Sequence, residues 1–289
     1  MKLVFSLFRT FPSLSRRSIY HRTMVKAKRF IKAAQFDGFP KESDLKLVEE
    51  ELPEIKDGEF LCEAVYLTVD PYMRVFSETL KIGEVMSGQL VGKVVESKNA
   101  DYPVGTNVTT EELGGLGWRS HLLSSEGVVT KLDHPPEIPL SQAMGVLGMV
   151  GMTAYFGFVD ICQPKEGETV VVNGAAGAVG SLVGQIAKIK GCRVIGFAGS
   201  DDKVEYVKSL GFDEAFNYKT IDLDETLKKV APNGVDIYFD NVGGKFSVTV
   251  RNHMNRLSRI SQCGSISQYN AKEPLMVPSF DRYDECQRD

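Results

Sequence analysis

The spacing of apolar residues divides the chain into two parts. From residue 24 to about 145, short apolar runs cover 60–69, 88–95 and 127–132. Turn-forming residues separate these runs, among them Gly58, Asn99 and the pair Pro135 and Pro136. Several short strands bounded by turns are typical of a β barrel or sandwich. The pattern therefore predicts a β-rich domain over residues 24–145.

Beyond residue 140, predicted strands alternate with predicted helices. A long helical stretch comes first, over 140–158. Apolar strands are then predicted at 169–173, 193–198, 214–217, 235–240 and from 259 onward. Helical spacing lies between them, at 179–190, 203–210 and 222–230. Strands and helices that alternate at this length form a parallel, doubly wound α/β sheet, which we expect over residues 146–278.

Residues 1–23 differ from the rest of the chain in composition. They contain no acidic residue, and their basic residues are interspersed with serines. A basic, serine-rich and acid-free start is typical of a mitochondrial transit peptide. A short disordered extension is the alternative. The segment predicts the mitochondrial matrix if it directs import, and the cytoplasm if translation starts at Met24.

Composition argues against several classes of protein. The 289 residues are 43% apolar and 25% charged, with a net charge of −4, as in ordinary globular proteins. This charge and the lack of a basic aromatic patch argue against nucleic-acid binding. No apolar run reaches the roughly 18 residues that a membrane span needs. The cysteines and the 4 histidines lack the spacing of zinc ligands, so no metal is expected.

The most informative motif follows the strand predicted at 169–173. It runs from Gly174 to Gly180 and opens a predicted helix, with Ala175 where a dinucleotide fingerprint has its first glycine. Gly177 would let the backbone approach a pyrophosphate, and Gly180 would let the helix pack closely on the strand. The free N–H groups at the start of the helix would then face the phosphates. A strand, this loop and a helix in one unit predict dinucleotide binding.

The end of the second strand indicates which dinucleotide is bound. An NAD site usually carries an acid there for the ribose 2′-hydroxyl, but this strand ends in Ala198, Gly199 and Ser200. Small residues leave room for a 2′-phosphate, and Lys203 could reach it. The sequence therefore favours NADP.

Long segments in the right order resemble one known family. These are 67–74, 151–157, 217–220, 238–244 and 263–270. With them, residues 24 to about 278 resemble the zinc-independent medium-chain dehydrogenases/reductases, in the branch of alkenal and prostaglandin reductases. Zinc-containing relatives have Gly-His-Glu where this chain has Gly88, Gln89 and Leu90. The resemblance implies a GroES-like substrate domain followed by a Rossmann domain.

The resemblance also implies roles for individual residues. Gly177, Ala178, Val179 and Gly180 would hold the pyrophosphate. Lys203 and Tyr218 would contact the 2′-phosphate, and Met149 and Thr153 would lie near the nicotinamide ring. The ribose and nicotinamide would be lined by Asn241 and by Cys263, Gly264, Ser265, Ile266, Ser267, Gln268 and Tyr269.

The implied activity is reduction of the carbon–carbon double bond of α,β-unsaturated ketones and aldehydes, including 15-oxo-prostaglandins and lipid enals, by hydride transfer from NADPH. Donors aimed at the carbonyl oxygen would stabilise the charge that develops there. Tyr72 and Tyr269 are the candidate donors, because a phenol stays protonated at neutral pH. A quinone reductase on the same scaffold and a non-catalytic NADPH-binding form are the alternatives.

The resemblance fades after residue 278. The tail over residues 279–289 is polar and has no clear helical or strand pattern. Family members continue with a sixth strand that pairs subunits and with a return to the first domain. The Rossmann domain is therefore expected to be incomplete, which puts the homodimer of the family and independent turnover in doubt here.

Overall fold

The computed structural model describes residues 24–110, 117–125 and 127–273. The predicted transit peptide and the divergent tail lie outside these ranges. In the first part of the chain, β1 (Val25–Lys32) and β2 (Leu45–Leu52) pair antiparallel. Facing lysines, arginines and glutamates line this pair, which explains why its apolar signal was too weak to predict it.

A second antiparallel sheet completes the β-rich part. Its strand order is β6-β3-β4-β5-β7. The strands are β3 (Phe60–Leu67), β4 (Leu90–Ser97), β5 (Asn107–Thr109), β6 (His121–Ser124) and β7 (Thr130–Lys131). Phe60 and Tyr102 stack inside it at 4.3 Å between ring centroids. A short helix, α1 (Tyr72–Phe76), lies between β3 and β4 in the chain.

The second half is a parallel sheet in the order β10-β9-β8-β11-β12. Its strands are β8 (Thr169–Asn173), β9 (Arg193–Ala198), β10 (Glu214–Asn217), β11 (Val235–Asp240) and β12 (Met254–Gln262). Its helices are α2 (Met149–Tyr155), α3 (Ala178–Ile189), α4 (Asp201–Ser209), α5 (Leu223–Val230) and α6 (Gly244–Arg251). The expected fold class, a parallel α/β sheet preceded by a β-rich part, is confirmed.

Apolar side chains cover both faces of the parallel sheet. In β8, Val170 and Val172 pack into one core and Val171 into the other, and all three are fully buried. Burial on both faces explains the nearly continuous apolar strands in the sequence. The strand ends are therefore the places where polar groups of this half can meet a ligand.

The helical stretch predicted over 140–158 is not one helix, although its second half is helical. The chain forms a 3-10 turn (Leu140–Ala143), then α2, then a π-helical turn (Phe156–Asp160). Between Ala143 and Gly148 the chain turns so tightly that a Cβ at Gly148 would overlap the carbonyl oxygen of Ala143. The glycines in this stretch, which the sequence pattern placed inside one helix, instead allow this tight turn.

Strand β12 starts five residues before the predicted position, at Met254 rather than Arg259. It lies at the edge of the sheet in the described part of the chain, with neighbours only on the β11 side. Polar residues such as Asn255 and Arg256 are tolerated there, so the apolar pattern begins late. Within the described ranges, no helix is both long and apolar enough to cross a membrane.

Candidate functional site

The candidate site lies where the strand order of the parallel sheet reverses. Strand β8 is flanked by β9 on one side and by β11 on the other, so the chain leaves neighbouring strands in opposite directions. In open α/β sheets, ligands bind beyond the carboxyl ends of the strands at this point. The loop after β8 and the loop after β11 therefore form the two walls of the site.

The loop after β8 has the geometry of a phosphate-binding turn. Gly174 adopts a left-handed φ of +57°, and Gly177 is the N-cap of α3 without any side-chain cap. A Cβ at Gly180 would lie 2.5 Å from the Gly174 carbonyl oxygen, so the helix packs against the loop. The N–H groups of Ala178 and Val179, in the first turn of α3, have no partner within the helix and can face an anion.

A buried polar network supports this loop from below. Asn173, the last residue of β8, donates its amide to Asp240 Oδ1 at 2.8 Å and to the Tyr238 hydroxyl. Ser247 lies 3.0 Å from the Tyr238 hydroxyl and donates to Asp240 Oδ2. Asn173 Oδ1 accepts the backbone N–H of Asn241 at 2.6 Å. The network fixes the ends of β8 and β11 relative to each other.

Asp240 is the charged centre of this network. Burial alone would raise its pKa, but donors from Ser247, Gly243, Asn173 and Val242 outweigh burial and hold the pKa below its ordinary value. The carboxylate stays ionised although Asp240 is fully buried. Its negative charge in turn adds to burial in raising the pKa of Tyr238.

The segment after β12 runs alongside the loop after β11. The backbone N–H of Cys263 donates to the Asp240 carbonyl at 2.8 Å, and that of Ser267 to the Val242 carbonyl at 3.1 Å. Gly243 has a φ of +69°, and a Cβ there would lie 2.9 Å from the Ser265 Cβ. Asn241 and residues 263–269 are thus brought together at one end of the sheet.

A cavity of about 330 Å³ opens between these segments. It is lined by Asn173, Gly174, Tyr218, Val242, Gly243, Lys245, Phe246, Ser267 and Gln268. The Tyr218 ring meets Phe246 edge-on at 6.1 Å, and its hydroxyl lies 3.2 Å from where a Gly199 Cβ would be. Gly199 therefore leaves space for this hydroxyl, and no carboxylate lines the cavity.

The remaining predicted cofactor residues are more dispersed. Lys203 is exposed in the first turn of α4 and does not line this cavity. Met149 begins α2, and the Thr153 hydroxyl donates to its carbonyl at 2.7 Å. Both side chains are half-buried.

The two candidate donor tyrosines lie on segments that touch across the molecule. Tyr72 begins α1, and Tyr269 follows β12. The backbone N–H of Ser265 donates to the Tyr269 hydroxyl at 3.2 Å. Arg74 Nε donates to Asn270 Oδ1 at 3.0 Å, which joins the helix of one tyrosine to the residue after the other. Burial raises the pKa of Tyr72, and Asp70 adds to this while Thr68 opposes it.

Sequence reasoning missed the supporting network and part of the cavity wall. Asn173, Tyr238, Asp240 and Ser247 were not predicted, although an amide and an acid that end two buried strands were a usable signal. Lys245 was also missed, because nothing in the sequence shows that the start of α6 faces Tyr218. Across the described residues, no group of three or more His, Cys, Asp or Glu side chains could hold a metal.

The residues present fit a dinucleotide. The loop offers free N–H groups for a pyrophosphate, and the cavity offers Tyr218 and Lys245 for a further phosphate. A β-rich part followed by a doubly wound sheet with this loop defines the class of medium-chain dehydrogenases/reductases. Residues 28–132 match the family described as "N-terminal domain of oxidoreductase", and residues 178–281 the family described as "Zinc-binding dehydrogenase".

Individual relatives show which family within this class the chain belongs to. The chain is 55% identical to prostaglandin reductase 1 of Oryctolagus cuniculus over 255 residues, which cover 87% of this chain and 72% of the relative. It is 43% identical to the NADPH-dependent curcumin reductase of Escherichia coli, over 88% of this chain and 74% of the relative. The crystal structure of CurA from Vibrio vulnificus in complex with NADPH superposes with a TM-score of 0.80 at 44% identity, over 87% of this chain and 76% of that one. The chain belongs to the prostaglandin reductase family of medium-chain dehydrogenases/reductases.

Proposed function

We propose that this chain uses NADPH to reduce the carbon–carbon double bond of α,β-unsaturated ketones and aldehydes, with 15-oxo-prostaglandins and lipid-derived enals as its substrate class. The observation that carries the proposal is the arrangement at the sheet ends. A phosphate-binding loop and a cavity lie beside the segment that bears Tyr269, and this segment contacts the helix that bears Tyr72 through Asn270 and Arg74. This arrangement suits a bound dinucleotide and a small carbonyl substrate.

The names of the relatives support the same chemistry. One relative at 43% identity is a 2-alkenal reductase (NADP(+)-dependent) of Nicotiana tabacum, and the curcumin reductase is named as NADPH-dependent. A 2-alkenal is an α,β-unsaturated aldehyde. The prostaglandin reductases share more of their sequence with this chain than either of these does, which favours lipid enones within the class.

NADP rather than NAD is the proposed cofactor. Tyr218 and Lys245 line the cavity without a carboxylate, and Lys203 lies in the first turn of α4. A phenol and ammonium groups are donors suited to a phosphate, whereas a 2′-hydroxyl would be recognised by an acid. The three side chains are proposed to share the 2′-phosphate.

When bound, NADPH supplies the hydride. The protein's task is then to hold the enone and stabilise the negative charge that develops on its carbonyl oxygen. Hydrogen-bond donors placed before reaction are each worth about 3 kcal/mol in such sites. Tyr72 and Tyr269 are proposed as these donors. The raised pKa of Tyr72 keeps its proton available.

Tyr269 is suited to the stronger role. Its hydroxyl accepts the N–H of Ser265, which leaves its own proton to donate. A hydroxyl that accepts one hydrogen bond is polarised and donates more strongly in the next. The contact also fixes the ring against Gly264, whose Cβ would lie 3.0 Å from that oxygen.

The proposal is tested by following NADPH consumption with the purified full chain. A simple enone and a quinone are compared side by side, with and without a chelator. Turnover of the enone well above the quinone, unchanged by chelation, would support the proposal. A quinone preference would favour the quinone-reductase alternative. A folded chain that binds NADPH without turnover would favour the non-catalytic form.

Assembly and cellular location are part of the same proposal. Residues 1–23 are proposed to direct the chain to the mitochondrial matrix, with a cytoplasmic form when translation starts at Met24. Imaging the full chain and a form that starts at Met24, each with a C-terminal fluorescent tag, separates these cases.

The oligomeric state is a separate question, and sedimentation of the purified chain would decide between a monomer and the family's homodimer. The proposed binding partner is a small-molecule substrate.

A further inference from the structure

One hydrogen bond between the two halves of the molecule lies next to both candidate donors. Arg74 Nε donates to Asn270 Oδ1 at 3.0 Å across 196 residues of sequence. Tyr72 lies two residues before Arg74, and Tyr269 immediately precedes Asn270. The bond therefore connects the backbone segments that carry the two phenols.

Contacts within its own half of the molecule hold the Arg74 side chain in place. Its side chain is only 12% exposed, and NH1 donates to Glu78 at 3.0 Å. Its guanidinium carbon lies 5.5 Å from the centre of the Phe36 ring. The acid and the aromatic ring fix the plane of the guanidinium, and in this orientation its Nε–H points at Asn270.

Helix α1 is also fixed to its own half of the molecule. The fully buried Lys32 donates its ammonium to the carbonyls of Ser77 at 2.7 Å and Leu80 at 2.8 Å, just beyond the end of the helix. Met73 is buried beneath it. Because α1 is anchored in this way, the Arg74–Asn270 bond acts on the spacing of two firmly held segments.

Local hydrogen bonds also hold the segment on the other side. Ser265 bonds to the Tyr269 hydroxyl, and the N–H of Ala271 donates to the Gln268 carbonyl at 3.0 Å. A shift of Asn270 would therefore carry the Tyr269 ring with it.

We propose that Arg74 and Asn270 form a positioning pair that sets the spacing of the Tyr72 and Tyr269 hydroxyls around the substrate carbonyl. The inference rests on the proposed function. Neither residue needs to touch the substrate. Misplacing a catalytic group by about 1 Å can lower turnover on the order of 100-fold, so loss of the pair reduces kcat more than it changes cofactor binding.

The chain offers a matched control. Lys272 and Asp37 also join the two halves, 3.2 Å apart, but their side chains are 74% and 70% exposed. An exposed ion pair contributes little to the geometry of a protein. Lys272→Ala should therefore leave kcat unchanged, although it removes a contact between the same two halves of the molecule.

The test compares Asn270→Ala, Arg74→Ala, the double variant and Asn270→Asp. We expect each alanine variant to lower kcat for a simple enone about tenfold or more, while the dissociation constant for NADPH stays within about twofold. The double variant should be no worse than the poorer single variant, because both remove one contact. Asn270→Asp keeps an oxygen acceptor and should restore most of kcat.

A second readout does not depend on turnover. Hydrogen exchange is measured over residues 72–77 and 265–271 in the same variants. Asn270→Ala should raise exchange in both segments, and Lys272→Ala in neither. An unchanged kcat in Asn270→Ala, or an equal loss of NADPH binding, would overturn the inference. If the full chain reduces no enone, the proposed function fails, and coupled exchange in the two segments still decides whether the pair sets their spacing.

Discussion

Asp240 gives the sharpest test of the account of the site, because its carboxylate is fully buried and accepts four hydrogen bonds. Three donors converge on Oδ1, from Asn173 at 2.8 Å, Val242 at 3.0 Å and Gly243 at 2.9 Å. Ser247 donates to Oδ2. Two substitutions separate the charge of this group from its capacity to accept.

Asp240→Asn keeps the shape and the Oδ1 acceptor but removes the charge. A hydrogen bond to a charged group contributes about 1 kcal/mol more than a neutral one, and all four bonds are affected. Easier burial of a neutral amide offsets part of this, so we expect a loss of about 2 kcal/mol in unfolding free energy. Asp240→Ala leaves four donors without an acceptor and should cost more than about 4 kcal/mol.

The assay is urea unfolding followed by circular dichroism across a range of pH. The folded pKa of Asp240 lies below its unfolded value, so its charge contributes stability above about pH 4. This contribution is lost as pH falls through the folded pKa. The gap between the unsubstituted chain and Asp240→Asn should therefore be constant from about pH 8 to 5 and narrow below about 4.

Asp224→Asn is the control for this experiment. Asp224 is an exposed acid paired with Lys228 and His253, so its loss should leave unfolding at pH 7 close to that of the unsubstituted chain. Two results would refute the reasoning about Asp240. One is a cost for Asp240→Ala no larger than that for Asp240→Asn, and the other is a gap that widens as pH falls.

Three further predictions concern the cofactor and the reaction. Gly180→Ala places a Cβ 2.5 Å from the Gly174 carbonyl oxygen, so it should weaken NADPH binding at least about tenfold. Binding is measured by nucleotide fluorescence, and an unchanged affinity would contradict the role of the loop. Tyr269→Phe should lower kcat about 100-fold with little change in NADPH affinity, and full turnover would rule out the donor role. Lys203→Ala and Lys245→Ala should each weaken NADPH binding more than NADH binding, and equal losses in a calorimetric titration would argue against contact with the 2′-phosphate.

Much of the parallel half could be predicted from the sequence because its strands are buried on both faces. Strands β8, β9 and β11 have the predicted bounds, since apolar runs between turns mark where these strands begin and end. The edge strand β10 also has its predicted bounds, although it is only partly buried. The edge strand β12 and the charged pair β1 and β2 were harder, because exposure allows polar residues in a strand. Helical periodicity did not reveal the interruption before α2 within 140–158, where glycines allow a tight turn.

The site could be predicted only where local sequence determines it. The glycine loop is one continuous motif, so its residues could be named before the fold was known. Asn173, Asp240 and Ser247 meet through tertiary structure, across 74 residues of sequence between the first and the last. Lys245 lines the cavity only because the start of α6 lies near Tyr218, the residue after β10, although β9 and β8 separate β10 from β11 in the sheet. Such convergence depends on the order of the strands in the sheet, which a local sequence pattern does not predict.

The most direct test of the account follows the hydride itself. The full chain is incubated with a simple enone and NADPH carrying deuterium at the transferable C4 position, and the product is examined by mass spectrometry and NMR. The account predicts a saturated ketone with one deuterium on the β-carbon and an intact carbonyl. Deuterium on the carbonyl carbon of an allylic alcohol would contradict it, as would cofactor binding without any transfer of deuterium.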